Sequence, residues 1–225
     1  MKKLFLKFLF LSFLVVLFSG LSFNCKKSNT TESPSPSAST STTASAEPNK
    51  NDLTNLDPSS ALDETKANFK VAQEKAILWH PDAVLYSTSA KITSTLDWQD
   101  VIEVYTFGSA QEPANWWTIS ISVRSKNYVR AIIPKEDYLG ANLTPIALQY
   151  WKINYLEAFQ TAEKNGGKDW RNNQKNSNYQ ITVTLAHAEP NNYLYFIVEY
   201  QNSDGSDKKT IQINANNGEV VNQES

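Results

Sequence analysis

The side chains in this 225-residue chain that could carry out reactive chemistry are few: two histidines, His80 and His187, and one cysteine, Cys25. Neither histidine has a second His, Cys or carboxylate at zinc-ligand spacing such as H-x-x-x-H, so no metal centre is expected. His80 ends a helical stretch, where a cation favours the helix dipole, and His187 is expected just past a strand. No G-x-S-x-G elbow and no phosphate-cradling glycine loop occurs. Asp97, Asp100 and Glu103 cluster mildly. They read as a solvated face, because a glycosidase pair needs two placed carboxyls across an open cleft. The expectation is a protein with no cofactor and no catalysis of its own. With 21 basic against 23 acidic residues and no basic stripe seen, nucleic-acid binding is disfavoured.

Cys25 has a special context. Lys2, Lys3 and Lys7 form a basic start, and the apolar run from Leu4 to Phe18 is broken only by Lys7 and Ser12. That order is the secretory pattern of charged start and short apolar core. A bilayer span needs roughly 20 apolar residues, and 8–23 comes near that, so an uncleaved anchor is the competing reading. The stretch Leu21-Ser22-Phe23-Asn24-Cys25 resembles the lipobox of bacterial lipoproteins. It departs from that pattern at Phe23 and Asn24. The resemblance implies cleavage after residue 24, diacylation of Cys25 and attachment to the membrane through lipid. Lys26 after the cysteine implies sorting to the outer membrane, by the rule for Gram-negative lipoproteins. A lone cysteine in an exported chain has no disulfide role, which agrees with that use.

From residue 25 to 60 the chain is rich in Ser, Thr, Pro and Ala and nearly free of large apolar side chains. Such a segment cannot bury enough surface to offset its ordering entropy and is expected to be a disordered tether.

The rest is expected to be α+β, built as two tandem units, each a helix followed by antiparallel strands, over 61–140 and 141–225. In the first, Leu62, Phe69, Ala72, Ala76 and Trp79 fall near one helical face before His80-Pro81. Short strands are expected at 83–86 and 101–107. Trp117, Ile119, Ile121 and Val123 then alternate with Trp116, Thr118, Ser120, Ser122 and Arg124, which predicts a half-buried strand paired with 128–133. In the second, Asn154 and Glu157 have capping-box spacing, Tyr155, Ala158, Phe159 and Ala162 share a face, and Gly166-Gly167 is expected to stop the helix. Strands are expected at 179–185, 193–200 and 210–215, with Asn217-Gly218 as a tight turn before Val220-Val221.

Residues 153–167 and 211–221, the latter ending Asn217-Gly218-Glu219-Val220-Val221, resemble a PepSY domain. The first unit lacks that ending and matches less well. The resemblance implies a non-enzymatic extracytoplasmic module that restrains secreted peptidases or acts at the cell wall. A cystatin-like sheet wrapping a helix would give the same periodicities. On the alternation above, Trp116 points to the polar side with Ser120 and Arg124, the candidate binding residues. Its alternative is packing under the loop 111–115 or against the other unit. The expected partner is an envelope or secreted protein, and the alternative is a small ligand or glycan held in a concave pocket.

Overall fold

The computed structural model describes residues 50–137, 143–174, 178–189 and 191–224. The signal segment, Cys25 and the tether up to residue 49 lie outside the described residues. The folded part starts before the expected boundary at residue 60. Leu53 is fully buried, Asp52 bridges to Asp97, and the Trp98 amide donates to the Asn51 carbonyl at 2.9 Å.

Helix α1 (Pro58–Trp79) begins where Asp57 accepts from the Ser59 amide at 3.0 Å, with Pro58 in the first turn. A proline there needs no N–H and has its φ already set. The helix ends at His80, which is extended ahead of Pro81. Its buried face consists of Ala61, Thr65, Asn68, Ala72 and Ala76, so small side chains let it lie close on the sheet. Trp79 stacks on Trp117, with ring centroids 6.3 Å apart.

Eight antiparallel strands follow: β1 (Val84–Thr93), β2 (Ile102–Gly108), β3 (Asn115–Ser122), β4 (Tyr128–Pro134), β5 (Tyr179–Ala188), β6 (Tyr193–Asn202), β7 (Lys208–Asn214) and β8 (Val220–Glu224). Between β4 and β5 lie α2 (Tyr155–Ala162) and α3 (Lys168–Asn173). The strands form one sheet in the order β4-β3-β2-β1-β5-β6-β7-β8. This overturns the expectation of two tandem helix-plus-sheet units. β1 is ten residues long rather than four, and it pairs with β2 on one side and β5 on the other. A strand paired on both edges leaves no boundary at which two sheets could separate. One apolar cluster joins residues from both halves, among them Ile92, Tyr105, Ile119, Phe159, Ile181 and Val198.

The capping box is formed: Asn154 accepts from the Glu157 amide at 2.9 Å, and Glu157 accepts from the Asn154 amide at 2.6 Å. The helix is broken at Asn165-Gly166, as expected, where both residues leave helical φ/ψ, and a second short helix, α3, starts beyond the kink. Glu163–Gly167 makes a wide turn with Gly166 at φ +97°. A left-handed residue suits glycine. Gly167 serves differently, since a Cβ there would lie 2.2 Å from the Tyr200 hydroxyl. That hydroxyl donates to Glu163 at 2.9 Å, and Glu163 also pairs with Arg171. Gly167→Ala is therefore expected to cost about 1–3 kcal/mol through overpacking, read as a lower urea midpoint. An unchanged midpoint would contradict this packing.

Candidate functional site

Trp116 is the first correction among the expected site residues. It lies on the sheet face opposite the helices, beside Ile133 of β4, yet it is 1% exposed. Its ring centroid is 4.6 Å from that of Tyr86, and the Lys135 ammonium lies 4.1 Å over its ring. Gly108 makes room, because a Cβ there would come within 2.7 Å of the indole. Tyr86, Lys135 and Gly108 all lie against it, and the Lys135 amide donates to the Ala114 carbonyl of the 111–115 loop at 2.9 Å. Ser120 sits half-buried on the same face, opposite Val129. Arg124 is exposed and paired with Asp100 at 2.7 Å. Trp116 is thus not an outward side chain, and each of the three has its own neighbours: Tyr86 and Lys135 for Trp116, Val129 for Ser120 and Asp100 for Arg124.

The histidines have local partners. His80 Nε2 lies 3.0 Å from Glu112, which also accepts from Trp79 Nε1 at 3.1 Å. Ser109 donates to Asp82 at 2.6 Å. Its proton is thus directed to a carboxylate and not to an imidazole. Hydrogen bonding from His80 and Asn115 holds Glu112 below the ordinary carboxylate range, and the Ser109 bond does the same for Asp82. These contacts tie the end of α1 to the β2–β3 loop. His187 lies within β5 rather than past it, and its Nδ1 is 2.7 Å from the Asn192 carbonyl.

Glu103 reverses the expectation of a solvated face. It is 1% exposed, between α1, β2 and α2. Its carboxylate accepts from the Tyr105 hydroxyl at 2.7 Å, Asn68 Nδ2 at 2.9 Å and Thr65 Oγ1 at 3.3 Å. Tyr155 also bonds to it, and accepts from Trp98 Nε1 at 3.0 Å. The cavity alongside measures about 10 Å³, the lower limit for one water. Burial pushes the Glu103 carboxyl above its ordinary value, against the opposing pull of Tyr105, Asn68 and Thr65. Burial and the neighbouring Glu103 charge push Tyr105 and Tyr155 well above the ordinary phenol value. A carboxyl this buried and multiply bonded holds the elements around it in place.

The open feature is β4. As the end strand of the sheet it has, among the described residues, a partner on one side only. Its apolar side chains stand in solvent, with Val129 73% and Ile132 54% exposed and Tyr128 also exposed. Sequence reasoning placed the strand but not its edge position. The missed signal was composition: from Pro113 to Lys135 there are four basic residues (Arg124, Lys126, Arg130 and Lys135) and no acidic one. The opposite edge, β8, is five residues long with a bulge against β7.

No protein-family model matches the chain, and no curated protein matches it. Among solved structures, the chain is similar to the crystal structure of a candidate lipoprotein from Clostridium difficile, with a TM-score of 0.43 and 15% identity. That similarity covers 78% of this chain and 99% of the other. Among the described residues no helix is long and apolar enough to cross a membrane, and no cluster of His, Cys, Asp and Glu could hold a metal ion.

The raised Glu103 carboxyl has a stability consequence with a definite sign. An unfolded glutamate titrates near about 4.3, so the folded chain holds this proton more tightly than the unfolded chain. The contribution is fully present below the unfolded value and is lost as pH rises through the folded one. Asp82 and Glu112, shifted down, work in the opposite sense and lose theirs as pH falls. Comparing Glu103→Gln with wild type isolates the buried group. The variant is expected to gain in relative urea midpoint as pH rises above about 4.3. A pH-independent difference would contradict the assignment.

Proposed function

We propose that this protein is a non-enzymatic, lipid-anchored module of the cell envelope that captures an extended segment of a protein partner by strand addition to β4. The supporting observation is the β4 edge: seven residues paired on one side, with Tyr128, Val129 and Ile132 exposed. Strand addition takes affinity from main-chain hydrogen bonds and specificity from alternate side chains. An exposed apolar edge strand is a hazard that folds usually cover, so one left uncovered favours an occupant. The lipobox-like stretch supports the anchor at Cys25, with Lys26 favouring the outer membrane. Two acyl chains would hold stably. The PepSY-like stretches support an envelope or secreted peptidase as the partner, restrained by occlusion of its cleft.

A photo-crosslinking residue at Val129, compared with one at Val221 on β8, tests the capture site in intact cells. Adducts of one discrete protein at Val129 and none at Val221 are expected. Adducts at Val221 alone would remove β4 from the mechanism. For the anchor, Cys25→Ser is expected to abolish incorporation of a labelled fatty acid; unchanged labelling would contradict acylation there.

A further inference from the structure

We infer that the segment captured at β4 alternates apolar and acidic side chains, an inference that rests on the strand-addition reading above. On β4, Tyr128, Arg130 and Ile132 point to the helix layer, as their β3 partners Ile121, Ile119 and Trp117 do. Val129, Ala131 and Ile133 share the opposite face with Ser120, Thr118 and Trp116. Arg130 is thus a cation between two exposed apolar side chains. Above it, Lys75 of α1 lies 5.8 Å from the Tyr128 ring centroid. By helical periodicity, Val71, Lys75 and Leu78 share the α1 flank that carries Glu64, and Val71 and Leu78 are exposed.

The other cations nearby are committed. Arg124 takes Asp100, Lys126 takes Glu64, and Lys135 lies over Trp116. Among the described residues, Arg130 and Lys75 have no ion-pair partner. A strand added in register brings its side chains within about 5 Å of those on β4, so residues facing the helix layer would meet Arg130 and lie below Lys75. Acidic groups fit there. The residues between them would meet Val129, Ala131 and Ile133, where apolar side chains fit. Pairing with a second β4 would bring two Arg130 side chains close together, and like charges across strands are unfavourable. Glu136 and Asp137 follow the strand and limit the complementary stretch to β4 itself.

The test titrates the full chain, in mild detergent, with fluorescent eight-residue peptides alternating valine with glutamate, glutamine or lysine. Two exposed ion pairs give the glutamate peptide an advantage over the glutamine peptide of about five- to tenfold at low salt. That advantage should vanish in about 0.5 M salt. Arg130→Glu, a substitution at an exposed site, should move the preference to the lysine peptide. Hydrogen exchange should show new protection at 128–134 and none at 220–224. Equal binding of the glutamate and glutamine peptides would overturn the charge assignment and leave strand addition standing. Failure of all three peptides, or protection at β8 instead, would overturn strand addition at β4 as well. Concentration-dependent self-association blocked by Arg130→Glu would replace the acidic segment with a second copy of the chain.

Discussion

Six residue pairs, from Thr88–Leu185 to Thr93–Gln180, join β1 to β5, and the rest of the structure depends on them. Ala90 faces Val183 and Ile92 faces Ile181 at this seam, all four buried under the helices. The seam merges what would be two small sheets, each with a thin core, into one surface with a common apolar layer. It also decides which strands are ends. With β1 and β5 inside, β4 and β8 are the strands that keep an unpaired side among the described residues, so the position of the proposed capture edge follows from a contact in the middle of the sheet.

Much of this was legible in the sequence at the level of single elements. The alternation of Trp117, Ile119, Ile121 and Val123 marked β3, and the Asn154–Glu157 spacing marked the start of α2. The seam was not legible, because β1 reads Ser87-Thr88-Ser89-Ala90-Lys91 and has few of the apolar residues that mark a central strand. Its buried face is carried by small side chains, Thr88 and Ala90, beneath a helix that is itself lined with alanines. Glu103 was within reach: Val101, Glu103, Tyr105 and Phe107 alternate at the period of two that places all four inside. Reading its charge as solvation overrode that pattern. Trp116 went the other way. Its strand face was correct, but that face is occupied locally by Tyr86 and Lys135.

The two most elaborate polar clusters are both internal. Glu103 is enclosed by Thr65, Asn68, Tyr105 and Tyr155, and Glu163 by Arg171 and Tyr200. Each ties a helical segment to a strand, Glu103 between α1 and β2 and Glu163 between the wide turn after α2 and β6. Buried charges need such partners, because leaving them bare costs several kcal/mol by the usual desolvation penalty, of order 3–5 for a broken pair. Carboxyls of this kind hold the helix layer at a fixed place on the sheet. By contrast, the apolar side chains of β4 stay exposed, beside two cations that have no ion-pair partner among the described residues.

The measurement that tests the account most directly is native-state hydrogen exchange through rising urea, following amides of β1–β3 and β5–β7 together. A single sheet joined at β1–β5 predicts that both groups lose protection in one cooperative opening, with the same free energy and the same urea dependence. Opening of β5–β7 at lower urea while β1–β3 stay protected, or the reverse, would show two independently stable halves. It would contradict the seam on which the placement of the β4 edge depends.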